Sequence, residues 1–146
     1  MKGPKGCRRV VVAIVAVILA GAAIAGQARA TDPSDCGALN VAGRWAGSGL
    51  DEDGARWDWS MELTQSRCEV QGVITWRASS GSAGREHIRG RLDGATRRFD
   101  FRGQQMEQGR GAIILGIYHA TFSPDLRRIT GRWTNGIPGT FEGARQ

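Results

Sequence analysis

The side chains with most to offer a ligand are five tryptophans: Trp45, Trp57, Trp59, Trp76 and Trp133. An indole carries a broad π face and one N–H. A convergent set of indoles makes a pocket for a small apolar, aromatic or sugar-like molecule. These five are the candidate ligand-binding residues. The competing reading is mechanical. A narrow β core also uses large side chains simply to fill its volume, and both readings stand at the level of sequence.

Other chemistry is hard to assemble. Gly47-Ser48-Gly49 lacks the outer glycines of a nucleophile elbow, and residue 46 is Ala. His87 and His119 are isolated from each other and from any paired base and nucleophile. The turn Asp51-Glu52-Asp53-Gly54 is acidic but misses the spacing of a calcium loop. Arg85, Arg89, Arg91, Arg97, Arg98 and Arg102 crowd two neighbouring segments, as an anion-binding face or as a solvated outer wall diluted by Asp93 and Asp100. No catalytic residue, metal ligand or cofactor site is assigned. The expectation is a protein that is not an enzyme.

The N-terminus sets the compartment. Lys2, Lys5, Arg8 and Arg9 precede an apolar run from Val10 to Gly26, which ends in Gln27-Ala28-Arg29-Ala30. A basic start, an apolar stretch and small residues at 28 and 30 describe a secretory signal peptide cleaved after Ala30. An uncleaved anchor is the alternative, and the Ala-x-Ala site argues against it. Contact with a membrane is therefore expected only through residues 1–30, before cleavage, and the mature protein is expected in the periplasm or outside the cell. The formal charge of +6 belongs largely to this leader. Residues 31–146 are nearly neutral, so no nucleic-acid partner is inferred. Cys7 leaves with the leader, and Cys36 and Cys68 remain as a pair in an oxidising compartment, where a disulfide is the natural reading.

The elements that must position the indoles read as strands. Trp57, Trp59, Met61 and Leu63 alternate with Asp58, Ser60, Glu62 and Thr64. The same period of two runs through Val70–Trp76, Ile88–Leu92, Phe99–Phe101 and Ile129–Trp133. Turn residues separate the runs at Asp51–Gly54, Asp93-Gly94, Pro124-Asp125 and Asn135-Gly136. About eight strands are predicted, near 42–48, 56–65, 69–77, 85–92, 97–103, 112–122, 127–134 and 138–144. Residues 78–84 read as a longer flexible loop and 31–41 as a loose lead-in. Glycines share a face with large apolar residues in Val41–Trp45, Ile88–Leu92 and Ile129–Trp133, which suits a closed, curved barrel or ordinary bends. Residues 112–119 are apolar on both faces. That calls for cover, from a second copy of the chain in a homo-oligomer or from the N-terminal segment.

Gly43-Arg44-Trp45, Leu63-Thr64-Gln65-Ser66, Phe122-Ser123-Pro124-Asp125 and Gly139-Thr140-Phe141-Glu142-Gly143 together resemble the small secreted bacterial lipocalin-like and avidin-like β-barrels of calycin type. The likeness spans roughly 42–144. It implies an all-β fold, a single antiparallel up-and-down eight-stranded barrel occupying 42–146 after the signal peptide at 1–30 and the lead-in at 31–41. It also implies that Trp45, in Gly-x-Trp, plugs the barrel floor. The polar residues of a biotin site are not matched after Trp45. The expected function is non-enzymatic binding of a small apolar or aromatic ligand. A secreted inhibitor or protein-interaction module with a filled barrel is the alternative, making contact through Thr31–Leu39 or residues 78–84.

Overall fold

In a computed structural model the described residues are 35–111 and 114–146. The expected signal peptide, its cleavage site and residues 31–34 of the lead-in lie outside them. Eight strands follow in order: β1 (Gly43–Asp51), β2 (Arg56–Ser66), β3 (Glu69–Ala78), β4 (Ala83–Leu92), β5 (Arg98–Arg110), β6 (Ile117–Phe122), β7 (Arg128–Trp133) and β8 (Gly139–Arg145). Each pairs antiparallel with its sequence neighbour, and β8 returns to β1, closing an up-and-down barrel. The period-two pattern explains the closure. Trp59, Met61 and Leu63 on β2 and Val70, Ile74 and Trp76 on β3 are buried, while Ser60, Glu62, Gln71 and Arg77 between them face solvent. A one-residue slip would turn every indole outward, so the register is held by burial.

Strand glycines permit the curvature. A Cβ on Gly72 or Gly90 would collide with the carbonyl oxygen of Glu62 or Asp100 on the adjacent strand. The inward glycines therefore mark close backbone approach in a closed barrel.

The two barrel ends differ. At one end, the floor, Trp45, Val70, Leu92, Phe99, Phe122 and Ile129 are completely buried, and Trp45 packs against Phe122 with centroids 5.0 Å apart. Residues 35–41 close this end. The Cys36–Cys68 disulfide ties them to the β2–β3 turn. Gln65 then accepts from Val41 N at 2.8 Å and donates to Leu39 O at 2.7 Å, and Trp45 Nε1 donates to Val41 O at 2.9 Å. The described part of the lead-in is thus a packed plug rather than a loose tail.

Other expectations differ in detail. Residues 79–82 make a tight turn, with Ala78 N donating to Ser82 O at 2.7 Å, instead of a long loop. The sixth strand begins at Ile117, not 112. Its approach is diverted because side chains take the backbone groups a ladder would use. Glu86 accepts from Gly116 N, and Asn135 accepts from Ile117 N and donates to Leu115 O. Ile114, Leu115 and Ile117 are exposed, and the plug at the floor does not cover them.

Candidate functional site

At the other end, the mouth, the hairpins β1–β2, β3–β4, β5–β6 and β7–β8 surround an open pocket of about 120 Å³. Trp57, Trp76, Tyr118 and Trp133 form its walls, with Asp51, Gly116 and Asn135 among the polar lining and Ile114 and Ile137 at the rim. Trp76 is central. It stacks on Tyr118 at 5.9 Å and 9°, and meets Trp133 edge-on at 5.5 Å and Trp57 at 6.5 Å. Three of the five candidate indoles therefore line one pocket. Trp59 sits deeper, edge-on to Phe141 at 5.6 Å. Trp45 lies at the opposite end, under the Arg145 guanidinium at 5.6 Å, where the resemblance placed a floor plug.

Each wall indole is oriented by its N–H. Trp57 Nε1 donates to Asp51 Oδ2 at 3.1 Å, Trp76 Nε1 to Tyr118 Oη at 3.1 Å, and Trp133 Nε1 to Ile137 O at 2.6 Å. Asp51 is the first residue of the acidic turn. Its second oxygen accepts from Ala55 N at 2.7 Å, so this carboxylate shapes the turn and anchors Trp57.

Behind Tyr118 lies Glu86, 1 % exposed. Glu86 Oε1 accepts from the Tyr118 hydroxyl and Oε2 from Gly116 N at 3.1 Å. Burial pushes its carboxyl above the ordinary range, and the two hydrogen bonds draw it partly back. Burial, and then the nearby Glu86 charge, push the Tyr118 phenol far above its ordinary value, so the phenol keeps its proton and donates it. Room for this pair comes from the neighbouring strands. A Cβ on Gly103 would collide with Glu86 Oε2. The β4–β5 ladder shifts register at Arg85/Glu86 and again at His87/Ile88, which lets the longer β5 bend around the carboxylate.

Sequence reasoning missed Glu86, Tyr118 and Asp51. Glu86 carried a usable signal, for it sits where Gly84, Ile88 and Leu92 are inward-facing residues of the same strand. Four of the six clustered arginines, Arg85, Arg89, Arg91 and Arg98, face outward and meet acids, while Arg97 donates to Phe122 O at 3.3 Å. Arg85 meets Glu107 at 2.7 Å, Arg91 meets Glu69 at 3.1 Å and Arg98 meets Asp100 at 3.0 Å. His119 lies on that outer wall, 2.7 Å from Asp100.

No protein-family model and no curated protein matches the chain. Solved structures do. The chain is similar to a de novo designed fluorescence-activating β barrel (TM-score 0.55, 16 % identity, 72 % of this chain and 93 % of that one). It is also similar to the redesigned β barrel mFAP1 bound to DFHBI (TM-score 0.57, 11 % identity, 73 % and 94 %). A third is EF1p2_mFAP2b bound to DFHBI (TM-score 0.59, 14 % identity, 79 % and 100 %). At these identities the likeness is one of fold, an eight-stranded antiparallel barrel.

Proposed function

We propose that this chain is an exported, non-enzymatic binding protein of lipocalin-like or avidin-like type that holds a small, largely apolar ligand at the barrel mouth. The observation that carries the reading is the asymmetry of the interior. One end is closed by a buried plug, and the other opens onto a pocket walled by Trp57, Trp76, Trp133 and Tyr118. Large aromatic walls with a few fixed polar groups are the ordinary makeup of a small-molecule site. Two of the similar barrels carry DFHBI, which agrees with a barrel of this kind receiving a small molecule. Secretion follows from the leader, and the periplasm or the external medium is the place of action.

The test is a titration followed by intrinsic tryptophan emission, with a panel of small aromatic compounds. Binding is expected to be saturable, one to one, and to change the emission. Trp133→Leu removes one wall and is expected to weaken binding about tenfold, the worth of one aromatic contact of about 1–1.5 kcal/mol. Saturable binding that Trp133→Leu leaves untouched would place the ligand elsewhere, and no saturable binding would end the proposal.

A further inference from the structure

We infer that the mouth pocket selects an organic cation, an ammonium group carried on an apolar body. This rests on the binding reading above and names the ligand class for the same site.

The walls supply the first argument. Trp57 and Trp133 are both steeply inclined to Trp76, at 86° and 66°. Inclined indoles build a box rather than a slot, and a box suits a rounded group better than a flat ring. Aromatic faces also carry negative electrostatic potential, so several of them around one volume favour a cation.

Donors and acceptors supply the second. The three wall indoles spend their N–H groups on Asp51, Tyr118 and Ile137. Tyr118 spends its proton, and Gly116 its N–H, on Glu86. The walls therefore have no free indole or phenol proton for an anion or a carbonyl. The aromatic walls themselves therefore offer acceptor and π surface, and the Asn135 amide, which donates to Leu115 O, and the loop backbone beside it are the other polar groups of the lining.

Charge supplies the third. Asp51 lines the pocket and is 7 % exposed, and Glu86 lies directly behind Tyr118. Among the described residues no Lys, Arg or His lines the pocket. Among them, too, neither carboxylate makes an ion pair; both rely on neutral donors. Buried charges are ordinarily paired, and here the partner would be the ligand. Size agrees with a compact head group. The pocket volume of about 120 Å³ is close to that of an engineered cavity of about 150 Å³ that accepts benzene. A longer body would leave through the open side between Ile114 and Ile137, which are 55 % and 49 % exposed.

The experiment compares choline with 3,3-dimethylbutanol, its neutral isostere, and benzyltrimethylammonium with benzyl alcohol, by calorimetry on the mature, disulfide-bonded protein. Each cation is expected to bind at least tenfold tighter than its neutral counterpart, with affinity that falls as sodium chloride is raised. Asp51→Asn is expected to erase most of that preference, read as the ratio of cation to neutral affinity, so that any loss of Trp57 anchoring that weakens both compounds alike drops out. The salt titration uses the unaltered protein, so the inference stays testable if the Asp51 variant fails to fold. Neutral compounds binding as tightly as the cations, with no salt dependence, would overturn the cation inference and leave the binding reading standing. If neither cations nor neutral compounds bind, both fall.

Discussion

Tyr118→Phe is the sharpest probe of the mouth, because it removes one oxygen and almost no volume. That oxygen accepts from Trp76 Nε1 at 3.1 Å and donates to Glu86, in a side chain that is 4 % exposed. Its loss strands a buried indole N–H and a carboxylate oxygen. Each orphaned buried group costs about 1–3 kcal/mol, so the variant should lose about 2–6 kcal/mol. Urea unfolding, monitored by tryptophan emission, would show a lower midpoint with an unchanged slope. The loss should also depend on pH. Burial raises the folded value for Glu86 above its unfolded value of about 4.3. Glu86 therefore costs nothing below the unfolded value, where both states are protonated. The cost grows as pH rises from there through the folded value. The Tyr118 hydrogen bond offsets that cost by favouring the ionised form, so removing it should hurt more at pH 7.5 than at pH 4. Combining Tyr118→Phe with Glu86→Gln should give a coupling of at least about 1 kcal/mol. A loss below about 1 kcal/mol that is the same at both pH values would refute the network as drawn.

The plug and the glycines give two further expectations. The Cys36–Cys68 bond closes a loop over a separation of 32 residues, so Cys36→Ala with Cys68→Ala should cost about 3–4 kcal/mol and lower Tm by roughly 12–20 °C. A cost under about 1 kcal/mol would mean that Gln65 and buried Val41 hold the plug without it. Gly90→Ala puts a Cβ against the Asp100 carbonyl and the Phe101 backbone, which cannot move without opening the β4–β5 ladder. A loss of about 2–4 kcal/mol is expected in the same urea assay, and a neutral or stabilising result would show that the strands are not closely apposed there.

The barrel was legible in the sequence because its signal is local. Period two, turn residues and inward glycines all report on one strand or one hairpin at a time, and those at β2, β3, β4 and β7 gave the strand faces correctly. What was not legible depends on distant partners. Residues 112–116 look like strand because Ile and Leu favour it, yet Asn135 and Glu86 take up the backbone groups of 115–117 from other elements. The β5 extension to Arg110 is irregular, with two register shifts that spoil its alternation, so its far half carried no period. Apart from Trp45, which the Gly-x-Trp resemblance assigned to the floor, the tryptophans looked equivalent because each faces inward. Strand polarity separates them: Trp45 lies near the start of β1 and Trp133 ends β7, and those termini sit at opposite ends of the barrel.

Wall height explains why the pocket lies where it does. β2 and β5 run 11 and 13 residues, while β6, β7 and β8 run only 6, 6 and 7. The barrel is therefore tall on one side and low on the other. At the floor the difference is erased by the disulfide-tied plug. At the mouth, among the described residues, the low side is completed by 114–116 and 134–138, fastened to each other through Asn135. An eight-stranded barrel has an interior just wide enough for its side chains to fill, and here the floor half is filled. A ligand gains room only where the wall is incomplete, between Trp76 and Trp133 and against the strand ends that carry Tyr118 and Asp51. That is also where the two carboxylates held by neutral donors alone sit, Asp51 in the wall and Glu86 behind Tyr118. The same shortfall in strand length that admits a ligand therefore leaves Asp51 within its reach, with Glu86 one side chain further back, and a cation entering from the low side would complete both the wall and the electrostatics.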